Sequence, residues 1–447
     1  MGVSRADLPA IVVNSAPERE EGRPLRVAHF IQRYPPALGG SEAYFARLSR
    51  YHAVHGDRVT VFTTNALDLE AFWRLSARTL PAGVTHEQGV EVRRYSLLRW
   101  PGRRWLLKPL SLLPWRAWQC LTLPCNPIAP RMWADAGRRE RQFDVVHASA
   151  FPYAFPIACA LRLARRQGIP FLLTPFLHTG DPDAPADPTR RAYTQPALRH
   201  LLHAADAIFV QTEPEHAAIR NLGVPEAKLI RQGLGVDVAD CTGGDRAGAR
   251  QRWQVAHNDV VIGHLANLSE EKGSVDLLHA AAAAWQRGER FTVVLAGPAM
   301  PNFRRMWDSY PWRERVQCLG VLSHEEKRDF FAGIDVFALP SRSDSFGLVL
   351  LEAWANGVPN VGYRAGGVAG VIRDGADGLL VQCGAIPALT DALTALVRDP
   401  AKRQALGRSG QERTAREYQW EDKLARVREV AAALTPLATA SGERGRG

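Results

Sequence analysis

Two carboxylates, Asp344 and Glu352, frame the densest chemistry in the chain, the run Leu339-Pro-Ser-Arg-Ser-Asp-Ser-Phe-Gly-Leu-Val-Leu-Leu-Glu-Ala-Trp-Ala-Asn-Gly-Val-Pro359. Gly347 reads as the start of a helix over 348–355. Asp344, Ser345 and the free N–H groups near Phe346 and Gly347 then stand at the positive end of the helix dipole, a place suited to a sugar hydroxyl or an anion. Glu352, one turn deeper, can accept two hydrogen bonds from a ribose diol. Each residue alone has a plainer reading, with Asp344 and Ser345 as helix caps and Glu352 as a solvated helix residue.

A second candidate is Lys272, in Gly263-His-Leu-Ala-Asn-Leu-Ser-Glu-Glu-Lys-Gly273. A lysine where a helix is predicted to begin opposes the dipole, so a structural account of it is weak and a phosphate fits. Gly39-Gly40 sits between a strand and a helix, where backbone lacking Cβ can approach a phosphate closely; a plain turn is the other reading. His178, in Thr174-Pro-Phe-Leu-His-Thr-Gly-Asp181, follows a buried strand. The C-terminal ends of strands in a doubly wound sheet are where ligands bind, and an imidazole there can bond a sugar hydroxyl or a departing phosphate. A satisfied structural histidine is the alternative. His147, after Asp144-Val-Val, is a similar candidate. The six cysteines are scattered with no CxxC pair, and no paired aspartates suggest a cation site. Neither a disulfide framework nor a metal is expected, and a reduced compartment fits.

These residues need a frame. The chain has 447 residues, 46% of them apolar, enough for two domains of roughly 100–200 residues each. Short apolar strands are predicted at 25–31, 58–63, 144–147, 170–174 and 207–210, with helices at 41–54, 156–167 and from 214. Ser41 reads as the N-cap of the first helix. The alternation restarts with strands at 260–263, 291–296, 335–339 and 358–361 and helices at 272–285 and 348–355. Alternation of this kind implies parallel sheets with helices on both faces. Two such series joined by Gly233-Leu-Gly-Val-Asp237 predict two Rossmann-like, doubly wound domains, 24–233 and 234–435, with a hinge between them. Residues 1–23 and 436–447 read as disordered. No secretory segment and no run of about 18 apolar residues is present, so a cytoplasmic protein is expected.

Taken together, the motifs resemble the acidic-x7-acidic signature of glycosyltransferase family four, the retaining transferases of GT-B fold. The family pattern is Glu-x-Phe-Gly-x4-Glu, then Ala and a Gly-x-Pro turn. Here Asp344 replaces the first Glu, one methylene shorter. The resemblance covers about Leu25 to Leu434. It implies two Rossmann-like domains facing each other across a cleft, the first taking the acceptor and the second the nucleotide sugar, with a last helix at 420–434 packing back on the first domain. It implies that Asp344 lies near the donor sugar and that Glu352 binds the donor ribose. The 263–273 segment is similar to the loop that grips the diphosphate with an Arg and a Lys; Lys272 matches, whereas Asn267 stands where Arg is usual. Pro36-Ala-Leu-Gly-Gly-Ser-Glu42 matches the loop facing diphosphate and acceptor. Gly366-Gly367-Val368 resembles a second glycine turn, with Gly370 where the family often has Glu. The family commonly has a His in the His178 loop, although Phe176 competes for that position.

The formal charge is +10. Between Ser96 and Phe143 nine Lys/Arg face two Asp/Glu, a net +7. Arg99 to Trp118 interleaves Arg, Lys, Trp and Leu, and its prolines argue against one long helix. Two readings stand, an interfacial surface for an anionic membrane and an insertion packing its Trp and Leu on the domain. No nucleic-acid motif is present. The resulting expectation is a retaining, metal-independent glycosyltransferase with no cofactor beyond its nucleotide-diphosphate-sugar donor. Its acceptor is a sugar or lipid-linked hydroxyl, and its station is cytoplasmic or peripheral on the inner face of the membrane. The catalytic set is Lys272, Asp344 and His178. The donor-binding set is Gly39, Gly40, Asn267, Lys272, Ser345, Phe346, Gly347 and Glu352. A non-catalytic nucleotide-sugar binder and a nucleotide-sugar epimerase of the same fold are the alternatives.

Overall fold

A computed structural model describes residues 24–184, 186–256 and 258–435; the disorder expected at 1–23 and 436–447 lies outside the described residues. The first sheet has eight strands in the order β3-β4-β2-β1-β5-β6-β7-β8. They are β1 (Arg26–Ile31), β2 (Arg58–Thr64), β3 (Gly83–Glu87), β4 (Val90–Tyr95), β5 (Val145–Ala148), β6 (Phe171–Leu173), β7 (Ala207–Val210) and β8 (Leu229–Arg231). All neighbours pair in parallel except β3 with β4. The inner strands are near-continuous apolar runs because helices cover both faces. The β3–β4 hairpin was not foreseen. Its two-residue turn, Gln88-Gly89, holds both residues at positive φ, 53° and 81°, the twist a two-residue hairpin needs.

The second sheet is wholly parallel, in the order β11-β10-β9-β12-β13-β14. Its strands are β9 (Val261–Leu265), β10 (Thr292–Ala296), β11 (Val316–Cys318), β12 (Val336–Leu339), β13 (Asn360–Tyr363) and β14 (Gly378–Val381). Strand order reverses between β9 and β12, and in the first sheet between β1 and β5. At such a switch point the connections leave toward opposite faces and open a crevice at the strands' C-terminal ends. Physics therefore puts four loops at the crevices, those after β1, β5, β9 and β12. Lys272 and Asp344 belong to two of them.

The helix Trp420–Leu434 returns to the first sheet's side, against the helix Gly40–Val54. Arg428 clamps it there by donating to both oxygens of buried Asp57, at 2.8 and 3.1 Å. The outgoing and returning chains touch, and a Cβ on Gly235 would lie 2.6 Å from the Trp420 nitrogen. Only glycine fits that crossing. Among the described residues no helix is long and apolar enough to cross a membrane.

Candidate active site

The two crevices face each other and enclose one cavity of about 530 Å³. Gly39, Gly40, Phe176 and His178 line it from the first sheet's loops, and Asn267, Lys272, Asp344, Ser345, Phe346 and Gly347 from the second's. All the expected site residues except Glu352 thus meet in one space.

Lys272 is not at a helix start. The helix Ser274–Gln286 begins after Gly273, its N-cap, so Lys272 belongs to the loop that follows β9. Gly273 has φ 75°, and a Cβ on it would meet the Pro340 carbonyl oxygen at 1.9 Å. This close approach brings the β9 loop onto the β12 loop. Lys272 Nζ then donates to Asp344 Oδ2 at 2.8 Å. Burial works against the charge on Asp344, but the neighbouring ammonium outweighs it and holds the carboxyl below its ordinary range. The capping reading of Asp344 and Ser345 does not hold: Gly347, at φ 88°, is the N-cap of the helix Leu348–Ala355, with no side-chain cap. The second glycine turn supports the same loop. The Gly367 N–H donates to the Asp344 carbonyl oxygen at 2.6 Å, and a Cβ on Gly367 would meet the Ser345 carbonyl oxygen at 2.1 Å.

Glu352 lies in that helix one turn beyond the lining residues Leu348 and Val349. It is not solvated. Lys327, from the helix His324–Gly333, donates to its Oε1 at 2.6 Å, while Oε2 is buried with no hydrogen-bond partner among the described residues. Burial, opposed by Lys327, raises its pKa. Lys327 was not foreseen, because its distance from Glu352 in sequence carries no pattern.

His178 reaches across the cleft. Its Nδ1 lies 2.9 Å from Ser343 Oγ, and its ring stacks on Tyr193 at 4.6 Å between centroids. Burial, reinforced by the Lys272 charge, lowers its pKa to about 4, so the imidazole is neutral at pH 7. Phe176 also lines the cavity, but it packs on Tyr44. Glu215 anchors this loop by accepting N–H bonds from Leu177 at 2.7 Å and Gln211 at 2.6 Å, a buried role with no signal in the sequence. His147 is a core residue instead. It is 1% exposed, bonds Thr174 at 2.8 Å, and packs against His29, Phe45 and Phe209.

Ser41 is not the N-cap of its helix; Gly39 is. The Ser41 hydroxyl is engaged with Gln32 and Glu42. Glu42 folds back beneath Gly39, where a Cβ would fall 2.2 Å from its Oε2, and accepts from Arg33 Nε at 2.8 Å. A Cβ on Gly40, by contrast, would meet nothing within 4 Å. Among the described residues Arg33 and Lys272 are the two lysine or arginine side chains lining the cavity, and Arg33 is tied to Glu42 and to the Leu38 and Leu67 carbonyls. Among the described residues no arginine other than Arg33 lines the cavity. Among the described residues no three His, Cys, Asp or Glu converge as a metal site would require.

Comparison with known proteins places this geometry. Residues 245–413 match the sequence model of glycosyl transferases group 1, and residues 39–235 match that of the glycosyl transferase 4-like domain. A D-inositol 3-phosphate glycosyltransferase of Kribbella flavida is 28% identical over 428 residues, 89% of this chain and 93% of that protein. Among solved structures, sucrose-phosphate synthase from Thermosynechococcus elongatus superposes with a TM-score of 0.69 at 20% identity, over 92% of this chain and 99% of that one. Anabaena HepE in complex with UDP superposes with a TM-score of 0.68 at 18% identity, over 92% and 100%.

Proposed function

The chain belongs to the family-four glycosyltransferases of GT-B fold and transfers a sugar from a nucleotide-sugar donor, and we propose that it does so with retention, without a metal, on a hydroxyl acceptor that enters from the first domain. The observation that carries this reading is the pairing state of the cavity's carboxylates. Asp344 is tied to Lys272 and Glu42 to Arg33, so neither is a free general base. The acceptor proton then goes to the departing diphosphate oxygen. The bond between the anomeric carbon and that phosphate oxygen breaks as the acceptor oxygen bonds the same face of the same carbon. Lys272 and the uncapped amides at the Gly40–Val54 helix start meet the charge that grows on the diphosphate. Asp344 and neutral His178 bond donor-sugar hydroxyls, Asn267 and the 345–347 segment hold the donor by neutral hydrogen bonds, and Glu352 takes the ribose through its unused Oε2. The test is nuclear magnetic resonance of the product made with a panel of UDP, GDP and ADP sugars, with and without chelator. Retention of anomeric configuration and indifference to chelator are expected. An inverted product, or loss of activity with chelator, sinks the mechanism, and turnover of donor alone to an epimer would select the epimerase.

The same reading puts the enzyme at the surface of an anionic membrane on its cytoplasmic side. Two short helices, Arg103–Leu110 and Arg116–Thr122, carry the basic tryptophan-bearing stretch. Arg103 does not serve this surface, because it is buried and bonds the Phe72 and Asn126 carbonyls. Trp105 is 79% exposed, Leu112 78% and Trp115 66%, beside exposed Arg104, Lys108 and Arg116. The packed-insertion alternative needs these large apolar side chains covered. Vesicle co-sedimentation tests it: pelleting with anionic but not neutral lipid at low salt is expected, and equal, negligible pelleting on both removes the membrane.

A further inference from the structure

Away from the cleft, the helices Arg116–Thr122, Ala154–Gln167 and Pro196–Ala204 enclose a cavity of about 330 Å³. Its walls include Cys120, Ala158, Leu161 and Leu201, all buried. Its rim carries Arg162, Arg165, Arg166 and His200. None of the three arginines has an acidic partner within salt-bridge distance among the described residues. Arg165 and Arg166 lie in the last turn of their helix, where the dipole alone would favour a cation. Arg162 lies a turn earlier and needs another reason. Its guanidinium sits over the Trp133 ring, 4.2 Å from the centroid, and its Nε is buried with no hydrogen-bond partner among the described residues. The neighbouring charges that act on His200 are also cationic, Arg165, His203 and Arg116.

A rim of guanidinium groups over an apolar floor matches a phosphate that carries hydrocarbon. Arginine offers a phosphate two parallel donors, and a donor left bare in a buried place costs free energy until something accepts from it. The helix that supplies Ala117 and Cys120 to the cavity also carries Trp118, and Trp115 and Leu112 precede that helix. The geometry points to a glycerophospholipid site, with the headgroup phosphate on Arg162, Arg165 and Arg166 and the first acyl carbons on the floor. This rests on the membrane reading above and deepens it, turning a diffuse basic surface into a seat for one lipid. No residue of this cavity lines the donor cleft, so the site anchors the enzyme and takes no part in transfer.

The experiment uses the full chain and two kinds of probe. Monomeric dihexanoyl phosphatidylglycerol and glycerol phosphate are titrated by calorimetry into wild type and into Arg162→Gln/Arg165→Gln/Arg166→Gln. Both proteins are then sedimented with vesicles of anionic and neutral lipid. The short-chain lipid should bind wild type, lose at least about ten-fold in affinity in the triple variant, and bind more tightly than glycerol phosphate, while nucleotide affinity stays unchanged. Should the triple variant fold poorly, Ala117→Trp, which fills the cavity mouth and keeps every charge, should give the same loss. Equal lipid affinity in wild type and variants, or none in wild type, overturns the site. Glycerol phosphate binding as tightly as the lipid overturns the lipid and leaves a soluble phosphate ligand. Wild type and variants that pellet alike on anionic vesicles leave the membrane reading standing without this site. Short-chain lipid bound in the cavity by a protein that ignores vesicles supports the site and removes the membrane reading.

Discussion

The two domains solve the same problem with different economy. In the second, a six-stranded parallel sheet presents two loops at its switch point, after β9 and β12, and glycines of the neighbouring loops press on the β12 loop: Gly273, after β9, on the Pro340 carbonyl, and Gly367, after β13, on the Ser345 carbonyl. Lys272, Asp344 and Ser345, proposed to meet the donor, therefore sit on backbone that touches backbone. In the first, an eight-stranded sheet adds an antiparallel hairpin edge and a long excursion between β4 and β5. Its Gly40 faces open space, and its cleft histidine is held through the side chains of Ser343 and Glu215 via Leu177. On the proposed reading, the second domain is a rigid donor seat and the first a more open acceptor wall, the arrangement a transferase needs if one nucleotide must be held while the acceptor enters and leaves.

Lys272→Ala should break that comparison hardest. It removes the cation expected on the departing diphosphate and leaves Asp344 unpaired. Turnover should fall by about 10²–10³, the range seen when one donor to a developing anion is lost, with donor affinity falling less. Wild-type turnover would leave Lys272 a structural role only. Next come the glycines. Gly367→Ala forces a Cβ into backbone and should cost about 1–3 kcal/mol of stability or more, read as a lower melting temperature. Gly40→Ala, whose Cβ meets nothing, should leave melting unchanged and act only on donor binding. Equal melting for both would contradict the rigid-seat account.

Acid separates the halves more gently. In the first domain His29 is held well below its ordinary pKa, His147 at about 3 and His178 at about 4; in the second, His264 is at about 4. Burial is the largest cause in each case. Each folded value lies below the unfolded one, near 6.5, so the folded protein binds fewer protons in the window between them. Stability is full above about pH 6.5 and falls as pH drops, by about 1.4 kcal/mol per unit for each such histidine until the folded value is reached. Hydrogen exchange at pH 7 and 5 should therefore show protection lost more from 26–231 than from 261–381. Equal loss would mean these histidines are not what distinguishes the domains. The smallest effect is Asn267→Arg, which should tighten free nucleoside diphosphate several-fold by adding a bidentate phosphate donor. No change in a stably folded variant would move the diphosphate off this loop.

The second domain was also the more legible one. Its chemistry is contiguous: the 263–273 and 339–359 runs carry residue types, spacing and glycines together, and the helix Leu348–Ala355 falls where it was predicted. The first domain's strands were readable from apolar runs, but the β3–β4 hairpin was not, since its edge strands are polar and largely exposed on β3. The contacts that hold the site escaped altogether. Lys327 with Glu352, Ser343 with His178, and Glu215 with the Leu177 N–H are pairings of side chains or backbone brought together by topology, and no local pattern announces them. Ser41 misled because its hydroxyl had partners nearer than the helix end. The sequence puts Lys272 at a helix start, but Gly273, not the lysine, opens the helix.

The central claim is that a nucleoside diphosphate lies on the second domain with its ribose on Glu352. Calorimetric titration of UDP, GDP and ADP into wild type and Glu352→Ala tests it most directly. One of the three should bind wild type at a single site and lose about 1.5–3 kcal/mol, roughly ten-fold or more, in the variant, with the unliganded melting temperature little changed. Undiminished nucleotide affinity in Glu352→Ala would contradict the account.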